Sequence, residues 1–342
     1  MKYRLLGRTG LSVSELSLGT ANFGRRWGHG ADEAESAAIL NAYAEAGGNF
    51  IDTADVYQFG QSEEFLGDLL QGRREDFVLA TKFSNGAAPN AGRLVTGNSR
   101  KAMVASLEAS LKRLKTDRID LYWVHHPDAV TPSEEIVRGL DDLARAGKIL
   151  YAGLSNFPAW RLARAVTLAE MTGAVPIAAA QFEYSLVHRE PEADLLPASH
   201  ALGLGAVTWS PLGGGMLTGK YRDTQRGGEK RRAEALGGRV FQAEDTVQRS
   251  AILDTVLAVA AELGARADQV AIAWAASRGA IPLIGPRSVT QLTSNLAAAS
   301  LTLGPDHLAR LAAVSLPRAT AATARAVGLA HGDSGLPPLP VA

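Results

Sequence analysis

Short, continuous apolar runs alternate with longer amphipathic stretches along most of the chain, and that rhythm restricts the fold more than any other feature. The runs are residues 16–20 (LSLGT), 49–53 (NFIDT), 77–81 (FVLAT), 119–124 (IDLYWV), 151–155 (YAGLS), 177–182 (IAAAQF), 206–210 (AVTWS) and 280–284 (AIPLI). None shows the strict apolar–polar alternation of a strand with one wet face. Runs of this kind fit parallel strands buried on both sides. Helical patterns lie between them. Residues 32–46 open on Asp32 as N-cap, with Glu35 three positions on, and stop at Gly47-Gly48. Residues 99–115 carry Met103, Leu107, Leu111 and Leu114 at helical spacing. Thr131 reads as the cap of 132–146, with Pro132 first and Gly147 last. Residues 62–70, 158–171, 191–202, 246–263, 268–277 and 288–298 complete the set.

Strand followed by helix, about eight times, predicts a (β/α)8 TIM barrel. A doubly wound sheet is the alternative, but no G-x-G-x-x-G follows any strand. Residues 3–6 and 13–16 flank Gly7-Arg8-Thr9-Gly10 and read as a β-hairpin capping one end of the barrel. Beyond Leu316 the chain turns to Ala, Gly and Pro, so the barrel domain is placed at 1–316 and an irregular C-terminal tail at 317–342.

Composition narrows the function. The 35 basic residues balance the 35 acidic ones, so no global field favours DNA, RNA or an acidic membrane. The lack of Cys excludes disulfides, thiolate zinc sites, iron–sulfur clusters and cysteine nucleophiles. The polar start, MKYRLLGRTG, and the absence of a long apolar stretch predict a cytoplasmic protein that neither enters a membrane nor is secreted.

In barrel enzymes the working side chains stand at the C-terminal ends of the strands. The residues just beyond each run are therefore informative. Asp52 and Tyr57 come after the second, Lys82 after the third and His125 after the fourth. A Lys beside a Tyr favours the phenolate, a carboxylate orients that Lys, and the Tyr can exchange a proton with a carbonyl or alcohol oxygen. A neighbouring His can donate a hydrogen bond to the same oxygen. A flat apolar ring, Trp209, ends the seventh run and suits a nicotinamide; Ser155, Asn156 and Gln181 offer partners to its carboxamide. Gly285-Pro286-Arg287-Ser288 opens a helix, where backbone N–H groups and the Arg287 fork attract phosphate.

The chain resembles the aldo-keto reductase family over nearly all its length. The segments that carry the resemblance are NFIDTADVY (49–57), LATK (79–82), DLYWVHHPD (120–128), GLSNF (153–157), WSPLGGGMLTGKY (209–221) and IPLIGPRSVTQLTSN (281–295). The resemblance implies a catalytic tetrad of Asp52, Tyr57, Lys82 and His125, with Tyr57 as proton donor. It also implies NADPH/NADP+ bound in an extended pose. Its contacts would be Gly19, Thr20, Asp52, Ser155, Asn156, Gln181, Trp209, Ser210, Pro211, Leu212, Gly214, Lys220, Gly285, Arg287, Gln291 and Asn295. Trp209 in TWSPL is similar to the branch that includes potassium-channel β subunits. Those carry Asn where this chain keeps His125, which favours an active reductase. Ser294 stands where many members have Glu, and Gln291 where other branches have Arg; this leaves Arg287 as the main 2′-phosphate contact.

The partner expected is a small carbonyl or alcohol compound, and the oligomeric state is open. Phe23, Trp27, Tyr57, Phe83, Trp123, His125 and His126 are the candidate substrate contacts, an aromatic rim suited to a ring-containing carbonyl. The rival class is an NADP-binding regulatory module with slow residual chemistry. No metal site is expected: His125, His126 and Asp128 lie close together, but no distant third ligand has the right spacing. Residues 214–220 nearly spell a phosphate-binding P-loop, yet Tyr221 stands where a magnesium-binding Ser or Thr belongs. Basic residues (Lys220, Arg222, Arg226, Lys230, Arg231, Arg232, Arg239) outnumber acidic ones (Asp223, Glu229, Glu234) between 217 and 240, within what reads as a solvated loop near the pyrophosphate.

Overall fold

The structure, a computed structural model, describes residues 1–222 and 241–316. The expected loop over 226–239 and the tail 317–342 lie outside the described residues. β1 (Tyr3–Leu5) and β2 (Ser12–Ser14) form an antiparallel ribbon. Eight parallel strands close a barrel: β3 (Ser17–Gly19), β4 (Phe50–Asp52), β5 (Val78–Phe83), β6 (Ile119–Val124), β7 (Ile149–Ser155), β8 (Ile177–Glu183), β9 (Gly205–Trp209) and β10 (Ile281–Ile284), with β10 returning to β3. The helices around it are α1 (Glu33–Glu45), α2 (Gln61–Leu69), α3 (Arg100–Leu114), α4 (Ser133–Arg145), α5 (Ala159–Thr172), α6 (Leu195–Ala201), α7 (Val247–Glu262), α8 (Ala267–Ser277), α9 (Val289–Ala297) and α10 (Pro305–Ser315).

Side chains alternate across a strand, so each strand sorts its residues into two sets. One set, including Ile51, Leu79, Phe83, Tyr122, Val124, Leu154 and Phe182, packs against the helices in the larger core. The other, including Phe50, Val78, Ala80, Leu121, Trp123, Ala179, Val207 and Ile281, fills the barrel interior together with Leu6 and Val13 of the hairpin. Two glycines permit close approaches here. A Cβ on Gly153 would lie 2.4 Å from the Trp123 ring, so only glycine lets that indole cross β7. Gly7 (φ +58) turns the hairpin against the β8–β9 connection, where a Cβ would meet the Gly203 carbonyl at 2.5 Å. A two-stranded ribbon is marginal by itself. Full burial of Leu6 and Val13 anchors it, at roughly 1.5–3 kcal/mol for each side chain.

Three local expectations are corrected. Thr131 does not cap α4; its hydroxyl donates to Asp128 Oδ2 (2.8 Å), and Pro132 occupies the cap without a side-chain bond. The single helix expected over 191–202 is a 3-10 turn, Glu190–Ala193, followed by α6, because Asp194 leaves helical geometry and caps the new start. Helix α10 adds to the expected set, and Pro305 at its first turn is an ordinary start signal.

Candidate active site

The inward positions one layer above the dry core carry the polar groups. Asp52 stands two residues beyond Phe50, Lys82 two beyond Ala80, His125 two beyond Trp123 and Gln181 two beyond Ala179. Asp52 and Lys82 are fully buried and form an ion pair. Lys82 Nζ also donates to the Thr53 carbonyl (2.9 Å) and the Tyr57 hydroxyl (3.1 Å). Gln181 Nε2 donates to the second Asp52 oxygen at 2.9 Å. The Tyr57 and His125 rings meet edge to face, centroids 5.9 Å apart.

The electrostatics refine the expectation for Tyr57. Burial raises its pKa and Lys82 lowers it; burial prevails, so the phenol lies above its ordinary value and keeps its proton. Burial pulls Lys82 down, but Asp52 and Tyr57 more than reverse this and hold the ammonium charged. His125 is driven well below the usual range by burial, then by Lys82 and His126, so it is a neutral imidazole. Asn85 Nδ2 faces His125 Nδ1 at 3.3 Å. As assigned, that amide NH2 can only donate, which leaves the ring proton on Nε2.

A cleft of about 960 Å³ runs from Trp27, Tyr57, His125 and His126 past Trp209 to Arg287, Gln291 and Asn295. Its wall also includes the expected Gly19, Asn156, Gln181, Ser210, Pro211, Leu212, Gly214, Lys220 and Gly285. Thr20, Asp52 and Ser155 lie behind the wall; Thr20 is buried, its hydroxyl bonded to the Asp52 carbonyl (3.1 Å). Asn156 and Ser210 follow their strands with φ of 61° and 59°, the left-handed region that L-residues seldom occupy. Asn156 ties three strand ends together. It donates to the His125 carbonyl (2.9 Å) and Ser155 Oγ (3.0 Å), and it accepts the Trp209 indole N–H (3.0 Å).

Three aromatic expectations are corrected by side-chain direction. Phe83 points outward and stacks on Tyr122. Trp123 points inward but one layer too low, in the dry core. Phe23 is fully buried under the first loop. At the start of α9, three backbone amides are engaged within the protein. The Arg287 and Val289 amides already donate to Gln291 and Glu35 (both 2.9 Å), and the Gln291 amide to the Ser288 cap (3.2 Å). Glu35 therefore braces α9 rather than boxing its own helix. The Arg287 side chain remains the cationic feature there.

Two wall-building residues lie outside the expected set. Buried Gln58 donates to the Ala21 and His29 carbonyls (3.1 Å each) and accepts the Trp27 amide (2.8 Å), which pins the first loop over Tyr57. Asp268 binds Asn295 Nδ2 (2.9 Å) and Arg266 Nε (3.2 Å) at the far end of the cleft. A polar residue directly after Tyr57 is a signal for the first; nothing local marks the second.

A closed parallel barrel with this cluster on its C-terminal rim is the architecture of a barrel oxidoreductase. Residues 15–316 match the aldo/keto reductase family, and the chain belongs to it. It is 38% identical over 323 residues to the uncharacterized oxidoreductase YrpG of Bacillus subtilis, covering 91% of this chain and 95% of that protein. An aryl-alcohol dehydrogenase [NADP(+)] of Phanerodontia chrysosporium is 36% identical, covering 87% and 82%. A probable voltage-gated potassium channel subunit beta of Oryza sativa subsp. japonica is also 36% identical, covering 94% and 99%. Among the described residues, no helix is long and apolar enough to cross a membrane.

Proposed function

We propose that the chain reduces an aldehyde or ketone to the alcohol, reversibly, with NADPH, and that its substrates carry an aromatic ring. The observation that carries this reading is the Tyr57 hydroxyl at the cleft floor, 3.1 Å from the buried Lys82 Nζ. The cleft fits the cofactor chemically. Arg287 offers a planar cation for a phosphate monoester, the Trp209 ring a stacking face, and Ser294 Oγ is a buried hydroxyl on the wall with no protein partner. Bound NADPH supplies a hydride to the carbonyl carbon. Tyr57 gives its proton to the carbonyl oxygen, and Lys82, held by Asp52, offsets the negative charge left on the phenol. His125, through Nε2–H, orients that oxygen. The cage at this end, Trp27, Tyr57, His126 and Trp209 with Phe241 5.9 Å from Trp209, suits a flat uncharged ring. The name of the Phanerodontia relative supports both the aryl class and NADP.

NADPH consumption across a panel of aryl aldehydes, aliphatic aldehydes and sugars tests the proposal. Turnover of order 1 per second or faster on the aryl compounds is expected. Slow single-turnover oxidation of tightly held NADPH would instead favour a regulatory module.

A further inference from the structure

Two buried carboxyl groups lie behind Tyr57, and one arginine serves them. Glu63 on α2 has no exposure; it accepts Arg113 Nε–H at 2.7 Å and the Thr81 hydroxyl at 2.5 Å. Asp55, in the turn from β4 to Tyr57, is 1% exposed. Its Oδ2 accepts the Gly86 amide at 3.2 Å, and its Oδ1 is buried with no partner. Its backbone N–H donates to the Lys82 carbonyl at 3.0 Å, which fixes the main chain of the turn against β5. The ionisable groups around it are Glu63 from α2, Arg113 from α3, Tyr122 from β6, and Tyr57 on its own turn.

A buried carboxylate met only by the Gly86 and Val56 amides, with no cation bonded to it, is disfavoured by burial more than the neutral acid is. Glu63 takes the Arg113 Nε–H and the Thr81 hydroxyl, which leaves Asp55 without a bonded cation. Burial and then the Glu63 charge push the Asp55 carboxyl up to about 7, with Arg113 opposing them.

We propose that Asp55 is a neutral carboxylic acid in the resting protein, and that its ionisation in the turn carrying Tyr57 restrains the site from running in the alcohol-oxidising direction. The proposal rests on the carbonyl-reductase reading above. Reduction uses Tyr57 with its proton. Oxidation uses the phenolate, which takes the hydroxyl proton as the carbinol hydride leaves for the oxidised nicotinamide. Once Asp55 is negative it disfavours a second negative charge on Tyr57, so the phenol keeps its proton to higher pH. Asp55 is a positioning residue in this scheme: it acts through Tyr57 and touches no substrate.

The test is the pH profile of aryl-alcohol oxidation with NADP+ in the wild type and in Asp55→Asn. The rising limb should move to lower pH in the variant, by about half a unit or more, whereas a merely structural role would change the plateau and leave the limb in place. An unmoved limb overturns the proposal. An activity-free reading separates this from the functional assignment. In infrared spectra of the resting protein at pH 6, the wild type should show a protonated-carboxyl band that Asp55→Asn lacks and that Glu63→Gln loses at lower pH. If Asp55→Asn fails to fold, the wild-type and Glu63→Gln spectra carry the test alone. Absence of that band in the wild type overturns the proposal even if turnover is high. Its presence in a protein without turnover would sink the reductase reading and leave the buried acid standing.

Discussion

The two layers of the barrel interior are built on the same strands and differ in everything else. In the lower layer the inward positions hold Phe50, Val78, Leu121, Trp123, Val207 and Ile281, sealed by Leu6 and Val13. One inward step further along, they hold Asp52, Lys82, His125, Gln181 and Trp209. A shift of two residues converts a dry plug into a buried ion pair beneath an aromatic cleft. The lower layer gains free energy by excluding water. The upper layer loses some by desolvating charges and uses the resulting low dielectric to fix Tyr57 and Lys82 against each other.

Several substitutions would break or sharpen that contrast. The largest effect is expected from Tyr57→Phe, which removes the acid and should cut the reductive kcat by about 10²–10⁴-fold. NADPH binding, followed by quenching of Trp fluorescence, and the melting curve should stay close to wild type. Lys82→Met leaves Asp52 buried without its cation, so unfolding free energy in urea should fall by about 3–5 kcal/mol. With the cation gone, the Tyr57 pKa rises, and the oxidation limb should move to higher pH, opposite in sign to Asp55→Asn. A stable Lys82→Met with an unshifted limb would contradict the pairing. Leu6→Ala belongs to the other layer: a loss of about 2–5 kcal/mol in stability is expected, with kcat per folded molecule unchanged. The smallest effect is Arg287→Ala, for which isothermal titration should show roughly tenfold weaker NADPH binding with NADH little altered. Equal losses for both cofactors would remove Arg287 from the 2′-phosphate.

The strand order and the four polar rim residues are legible in the sequence because a parallel barrel writes its core as continuous apolar runs and places chemistry at their ends. The direction of the aromatics is not. Phe83 and Trp123 look like rim residues from proximity alone, whereas counting by twos from Lys82 and His125 assigns the first outward and the second one layer down. Residues 305–315 follow the eighth strand, where the strand–helix alternation no longer calls for a helix, although Pro305 and the spacing of Leu308, Leu311 and Val314 mark one. Asp268 reaches the cleft from α8, and no spacing in the sequence links it to Asn295. The Val289 amide at the start of α9 looks free because its acceptor, Glu35, lies 254 residues away.

The contact between Trp123 and Gly153 couples the two layers mechanically. Trp123 is the strand-register partner of Lys82 on the neighbouring strand, and the space its indole occupies over β7 admits no side chain at 153. A single methyl group added there would overlap the indole and force it or β7 to shift. The working end of the barrel can therefore be detuned by a change that touches neither ligand nor charge.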